Sequence, residues 1–338
     1  MTSHLLDKLK RPFSDLRISV TDRCNFRCQY CMPKDIFGSD YSFLPHDQLL
    51  TFEEITRFVN AIAPLGLRKV RITGGEPLVR KNVEDLVGML RSAHPDLEIA
   101  LTTNGSLLPQ KAQKLKEKGV NRVTVSLDSL EDEVFMALND AQFPVSKVLD
   151  GIRAAEENDL LPIKINMVVK RGVNEKSILP MAEYFRERGH ILRFIEYMDV
   201  GSTNGWNMAD VVPAREILKL IHAVYPLEPV EPDQPSDVAK RWKYQDGRGV
   251  IGMIASVTDP FCGDCTRLRL SAPGELFTCL FSNKGHDIKA LLRGGAPDRE
   301  LANFVASLWS GRSDNYSQTR SREDSQPGDK VEMSYIGG

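Results

Sequence analysis

The sequence predicts an α/β fold, a partial, six-unit β/α barrel followed by a C-terminal α+β extension, and two observations carry that prediction. Short β-rich runs alternate with helical patterns from the first cysteine-bearing loop to about residue 200, which implies parallel strands with helices outside them. Six units are too few to close an eight-stranded barrel, so the sheet is expected to stay open. In addition, "TGGEP" (73–77), "TTNG" and "SLDS" stand at the ends of successive strand runs, the end at which barrel sites are built.

Taken in order, "LRISVT" (16–21), "KVRIT" (69–73), "EIALTTN" (98–104), "RVTVSLD" (122–128), "PIKINMVV" (162–169) and "LRFIEYM" (192–198) read as strands. Helices are expected near 51–63, 82–93, 109–118, 144–158 and 176–188. Thr51 followed by Glu54 makes a capping box for the first of them. The pattern then changes: residues 205–235 hold one helix and a proline-rich loop, and "GVIGMIASV", "RLRLSA" and "ELFTCL" read as antiparallel strands, the last two joined through "SAPGE". The polar stretch "GRSDNYSQTRSREDSQPGDK" is expected to be mobile. This divides the chain into a barrel (1–204), a C-terminal region (205–312) and a mobile tail (313–338) that ends in Gly337 and Gly338.

The composition excludes several classes. Of 338 residues, 41% are hydrophobic, enough for a sizeable core. The 44 basic and 46 acidic residues nearly cancel, which argues against a nucleic-acid binder. No apolar run approaches a membrane span, and the start, "MTSHLLDKLKRPFSD", lacks a secretory pattern. The expected setting is a reducing cytoplasm, where clustered cysteines bind metal more often than they form disulfides.

The six cysteines fall into two triplets, Cys24, Cys28, Cys31 (C-x3-C-x2-C) and Cys262, Cys265, Cys279 (C-x2-C-x13-C). Zinc completed by His46 or His286 is one reading of either triplet. The other is a cubane cluster held by three thiolates, which leaves one iron open to a small molecule. A hairpin over 267–280 turning at Pro273–Gly274 would bring Cys279 opposite Leu268 and one diagonal step from Cys265.

Basic residues lie inside the strand runs. Arg17 shares a face with Ser19 and Thr21, Lys69 and Arg71 with Thr73, Lys164 with Asn166, and Arg267 with Arg269; Arg193 is also in a strand. Charged groups seldom occupy buried strand faces without a partner, and the strand runs show no matching set of acids. The set implies an anionic ligand within the barrel, and a triphosphate suits arginine forks. No G-x4-G-K-[ST] loop is present, so a nucleotide would not be held in the P-loop manner.

C-x3-C-x2-C with Tyr30 before its last cysteine, together with "TGGEP", resembles the radical S-adenosylmethionine (SAM) enzymes. The resemblance implies a [4Fe-4S] cluster on Cys24, Cys28 and Cys31, whose open iron chelates SAM and whose electron cleaves it to a 5′-deoxyadenosyl radical. It implies SAM contacts at Tyr30, Gly74, Gly75, Glu76, Ser126 and Met198. From "RISVTDRCNFRCQYCMP" through "FCGDCTRLRLSAPG" to the terminal "GG", the chain resembles most narrowly the branch of lyases that cyclise GTP for molybdenum cofactor biosynthesis.

That branch implies a second [4Fe-4S] cluster on Cys262, Cys265 and Cys279 whose open iron meets guanine. It implies GTP contacts at Arg17, Arg71, Thr102, Lys164, Arg267 and Arg269, with Lys69, Arg193 and Leu268 as additions. The radical would abstract hydrogen from the ribose C3′, and the carbon radical would attack C8 to give (8S)-3′,8-cyclo-7,8-dihydroguanosine 5′-triphosphate. The implied partners are an electron donor of flavodoxin or ferredoxin type, a cyclic pyranopterin monophosphate synthase that takes the product, and a second copy in a homodimer. Thr266 departs from the branch, which commonly has Asn there.

The terminal Gly-Gly reads as a frayed end by composition alone. An activated carboxylate would need a β-grasp domain that the chain does not show, whereas the resemblance implies insertion into the barrel; a carboxylate carried there could pair with a barrel arginine, Arg17 or Arg71. A radical SAM enzyme that modifies peptides and carries an auxiliary cluster remains an alternative, as does a non-enzymatic iron–sulfur electron carrier or zinc module.

Overall fold

Six strands pair in parallel and in chain order: β1 (Asp15–Ser19), β2 (Lys69–Thr73), β3 (Glu98–Thr103), β4 (Arg122–Ser126), β5 (Lys164–Val169) and β6 (Ile191–Glu196). The computed structural model describes residues 5–232, 236–320 and 330–338. Helices α1 (Phe52–Ile62), α2 (Val83–Ala93), α3 (Leu108–Lys118), α4 (Asp132–Asn139), α5 (Val145–Glu157) and α6 (Ile178–Arg188) fall between the strands. The fold is the expected partial β/α barrel with a C-terminal extension. The Thr51–Glu54 capping box is present, with Glu54 N–H donating to Thr51 Oγ1 at 3.1 Å and Thr51 N–H to Glu54 Oε2 at 2.8 Å. Helix α4 was not expected from the sequence. It opens on an acidic run and spans only 8 residues, too few for an apolar period to stand out.

Alternation along each strand sorts the side chains. Leu16, Ile18, Val70, Ile72, Ile99, Leu101, Val123 and Val125 are wholly buried between sheet and helices. Their odd-parity neighbours in β1 and β2 face inward, onto the barrel cavity.

After β6 the chain forms α7 (Ala214–Val224), β7 (Leu227–Val230), β8 (Lys240–Tyr244), β9 (Val250–Ile254), β10 (Arg267–Leu270), β11 (Glu275–Phe277) and β12 (His286–Asp287). The sheet order is β12-β11-β10-β1-β2-β3-β4-β5-β6-β9-β8-β7. The expected antiparallel pairing holds for β10 with β11 but is incomplete. β9 pairs in parallel with β6, and β10 in parallel with β1, so the extension lengthens the barrel sheet at both edges. An apolar run carries no information on direction; the connection that delivers the strand sets it. Strands β7 and β8 were missed because Pro229 and a run of charges disguise them, both tolerated near a sheet edge.

Helices α8 (Lys289–Arg293), α9 (Asp298–Gly311), α10 (Tyr316–Thr319) and α11 (Met333–Ile336) follow. The tail expected to be mobile is docked where it is described. Ile336 is wholly buried, Tyr335 Oη donates to Glu275 at 2.6 Å, and Lys330 pairs with Asp199 at 2.8 Å. Residues 321–329 of that tail lie outside the described residues. Among the described residues no helix is long and apolar enough to cross a membrane.

Candidate active site

Both cysteine triplets open onto one cavity of about 390 Å³ inside the barrel. Its wall includes Arg17, Tyr30, Lys69, Arg71, Gly74, Gly75, Glu76 and Thr102. Ser126, Lys164, Arg193, Met198, Arg267 and Arg269 complete the predicted set on that wall. Leu268 is the correction: it is wholly buried in the apolar shell, because alternation turns it away from the face of Arg267 and Arg269. The hairpin register is corrected as well. Arg269 pairs with Phe277 and Leu270 with Leu276, so two residues further on Cys279 is level with Arg267, not Leu268.

The parallel register sets cations abreast. Arg269, Arg17, Arg71, Ala100 and Arg122 are successive partners across β10, β1, β2, β3 and β4. The neighbouring row reads Arg267, Asp15, Lys69, Glu98. The expectation that the strands hold no matching acids is therefore corrected. Asp15 lies 2.6 Å from Lys69 and Glu98 lies 2.6 Å from Arg122. Asp15 and Arg122 both line the cavity and were missed, although Arg122 shares the parity of Thr124 and Ser126.

Cations still prevail. Burial, followed by repulsion from Arg269 and Arg267, pulls the Arg17 guanidinium well below its ordinary pKa. Burial lowers Arg71 to about 10, Arg193 to about 9 and Lys164 to about 7, with neighbouring arginines adding to each fall. Arg71 is aimed by hydroxyls, donating to Thr102 at 3.0 Å and Thr124 at 3.3 Å. Arg17 Nε, Arg122 Nη1, Arg193 Nε and Asn166 Oδ1 are buried without a hydrogen-bond partner among the described residues. The three arginine N–H donors call for an acceptor, which an anion in the cavity would supply, whereas Asn166 Oδ1 calls for a donor.

At the first triplet the loop 74–76 packs on the segment leading to Cys24. Gly75 N–H donates to Thr21 O and Glu76 N–H to Arg23 O, each at 2.8 Å. A Cβ on Gly75 would overlap the Arg23 carbonyl, so protein backbone on one side is what demands glycine here. The Glu76 carboxylate braces two loops, accepting from Leu78 N–H (3.0 Å), Asn104 N–H (2.7 Å) and Thr103 Oγ1 (2.8 Å), while burial lifts its pKa to about 7. Tyr30 donates to Asp128 at 2.7 Å, and burial lifts that acid, absent from the sequence prediction, to about 6. Met198 is held through its carbonyl by Asn204 at 3.0 Å.

The thiols are free and half-buried. Cys24 Sγ accepts from Phe26 N–H at 3.3 Å, Cys279 Sγ from Phe281 N–H at 3.5 Å, and Cys265 Sγ from Arg312 Nη2 at 3.2 Å. Among the described residues no group of three or more His, Cys, Asp or Glu side chains is disposed to hold a metal ion. His46 and His286 are exposed and lie off the cavity wall, which disfavours zinc completed by either. A cubane spreads its three thiolate ligands over three different irons, so they need not converge on a single ion, and each triplet, with at least one sulfur accepting an N–H, fits one with an open iron.

The C-terminus enters the same space. Gly337 O accepts from Arg269, a Cβ on Gly337 would overlap the Thr73 side chain, and Gly338 lines the cavity. Insertion is as expected, and the contact made on the way in is from Arg269 to the Gly337 carbonyl.

Residues 18–185 match the model of the Radical SAM superfamily and residues 190–318 that of Molybdenum Cofactor Synthesis C. Over the whole of both chains, the sequence is 51% identical to a GTP 3′,8-cyclase of Acidothermus cellulolyticus, 46% to one of Staphylococcus haemolyticus and 45% to one of Xanthomonas axonopodis pv. citri. Among solved structures, Streptococcus suis SuiB bound to precursor peptide SuiA superimposes with a TM-score of 0.62, covering 91% of this chain and 70% of that one. At 14% identity that likeness concerns the fold.

Proposed function

The chain belongs to the GTP 3′,8-cyclase family of radical SAM enzymes, and on that premise we propose how its cavity carries out the cyclisation of GTP for molybdenum cofactor biosynthesis. Membership of the superfamily brings a [4Fe-4S] cluster and SAM. Cys24, Cys28 and Cys31 hold that cluster, and Cys262, Cys265 and Cys279 hold a second. When bound, the first cluster and SAM supply a carbon-centred radical able to remove hydrogen from the ribose C3′.

The protein's own part is placement. Tyr30, Gly74, Gly75, Ser126 and Met198, all on the cavity wall, are the residues that would receive SAM. Arg17, Arg71 and Arg269 stand abreast and take the triphosphate, with Lys69, Lys164, Arg193 and Arg267 around them. Thr102 steers Arg71. The inserted Gly338 narrows the cavity, keeping water from the reacting carbon. Bond making between C3′ and C8 of one substrate needs alignment more than acid–base help. The observation that carries this reading is two cysteine triplets facing one cavity on whose wall the arginines stand in register.

GTP deuterated at C3′ is the test. Anaerobic turnover with SAM and a reductant should place the label in 5′-deoxyadenosine, read by mass spectrometry. Label retained in the nucleotide would rule out this abstraction site.

A further inference from the structure

Residues 5–12 precede the span matched by the radical SAM model, yet they close over the second cysteine triplet. Asp7, Arg11 and Arg312 are buried together, with side chains 0%, 1% and 1% exposed. Asp7 Oδ2 lies 2.5 Å from Arg11 Nε and 3.5 Å from Arg312 Nη1. Its other oxygen accepts from the N–H groups of Leu9 and Arg11, both at 2.9 Å, so the carboxylate is held from two sides.

Each arginine then reaches a cysteine of the C-x2-C pair. Arg11 Nη1 donates to Cys262 O at 2.8 Å, and Arg312 Nη1 donates to Cys265 O at 2.7 Å. Arg312 Nη2 also donates to Cys265 Sγ at 3.2 Å. The fork is fixed by its surroundings: Arg312 Nε lies 3.2 Å from Asp314, and the guanidinium sits 4.6 Å from the ring centre of Trp309. Trp309 in turn donates to Arg11 O at 3.1 Å. Three buried ionic groups are costly unless mutually satisfied, and here they converge on the carbonyls of two thiol-bearing residues and on one sulfur.

We propose that Asp7, Arg11 and Arg312 form an outer frame for the second triplet, in which Arg312 positions Cys265 and raises the reduction potential of the cluster held there. The inference rests on the reading of Cys262, Cys265 and Cys279 as cluster ligands. A cation donating to a ligand sulfur stabilises the more negative, reduced state, and such outer contacts set ligand orientation and potential.

The experiment uses the full chain with Cys24, Cys28 and Cys31 replaced by Ser, so that only the second site loads iron. Arg312→Met, Arg312→Lys and Asp7→Asn are reconstituted anaerobically in that background. Iron content, thermal unfolding midpoint and EPR-monitored redox titration are read for each. Arg312→Met should keep its iron and show a lower potential. At the parent's midpoint its reduced-to-oxidised ratio should fall about tenfold, which is 59 mV for one electron. Arg312→Lys should recover part of that fall, and Asp7→Asn should lose iron faster on exposure to a chelator.

Full iron with an unchanged potential in Arg312→Met would overturn the proposal. So would iron loss accompanied by a lowered unfolding midpoint in both Arg312 variants, since it assigns the residue to folding alone. Iron loss at an unchanged midpoint supports the frame. A parent background that binds no iron overturns instead the reading of the second triplet as cluster ligands.

Discussion

Cys24, Cys28 and Cys31 lie among acids, whereas Cys265 lies among arginines, although all four thiols face one cavity. At the first triplet burial raises every thiol, Cys24 to about 12, and the charges of Glu76, Asp128 and Glu332 push in the same direction. At Cys265 burial also raises the pKa, but Arg267 and Arg312 outweigh it and the net is a fall to about 6. At Cys279 burial, with the charges of Asp314 and Cys265, outweighs the Phe281 N–H and Arg269, and the thiol stays up at about 11. The difference matches the ligands each end is read to receive. A site among carboxylates suits the sulfonium and ammonium of SAM, and one beside arginines suits a nucleoside triphosphate.

The strongest way to break this comparison is to remove one triplet at a time. Reconstituted native protein should carry about eight irons per chain, four for each cubane. Cys28→Ser and Cys265→Ser should each leave about four. Cys28→Ser should abolish reductive SAM cleavage, while Cys265→Ser should retain SAM cleavage and lose cyclisation. A single replacement that empties both sites would show that the triplets are one unit, and the contrast between them would then carry no function.

A smaller effect is expected from the arginines of β10. Losing one charge-assisted contact to phosphate costs about 1.5–3 kcal/mol. Arg267→Ala and Arg269→Ala should therefore weaken GTP binding roughly ten- to a hundred-fold in equilibrium dialysis, with SAM affinity unchanged. Unaltered GTP affinity in both variants would mean that the cationic end does not select the substrate.

The smallest effect is a single proton. Burial, then the charges of Arg122, Arg193 and Arg71, lowers Lys164 to about 7. In the free protein Lys164 is thus charged below about pH 7 and neutral above it, and a bound triphosphate should restore the proton. Calorimetry at pH 8 in buffers of different ionisation enthalpy should find uptake of about one proton per GTP. Lys164→Met should abolish that uptake, and SAM binding should show none through this residue. Equal uptake by Lys164→Met would assign the proton to another group.

Much of this site was legible before any fold was known, and the exceptions share a cause. Parity along β1 and β2 places Arg17, Lys69 and Arg71 on one face from the sequence, but Asp15 falls one residue before the run that reads as strand. The strict alternation that identified Arg267 and Arg269 also excludes Leu268, whose side chain belongs to the core. Arg11 and Arg312 gave no signal, because surface arginines have the same local pattern and their partners are 251 and 47 residues away.

Local chemistry thus determined the elements and the ligand inventory: alternation marked the strands, Thr51 and Glu54 capped a helix, and the six cysteines fell into two triplets. Tertiary structure alone decided which residues meet. Register across β10, β1 and β2 set Arg269, Arg17 and Arg71 abreast. Parallel pairing of β9 and β10 with the barrel edges brought the second triplet to the cavity of the first. Docking of Met333–Ile336 delivered Gly337 to Arg269. The physical reason is that intrinsic preference acts over a few residues. Pairing direction, register and long-range ion pairs are settled only when the whole core is buried at once.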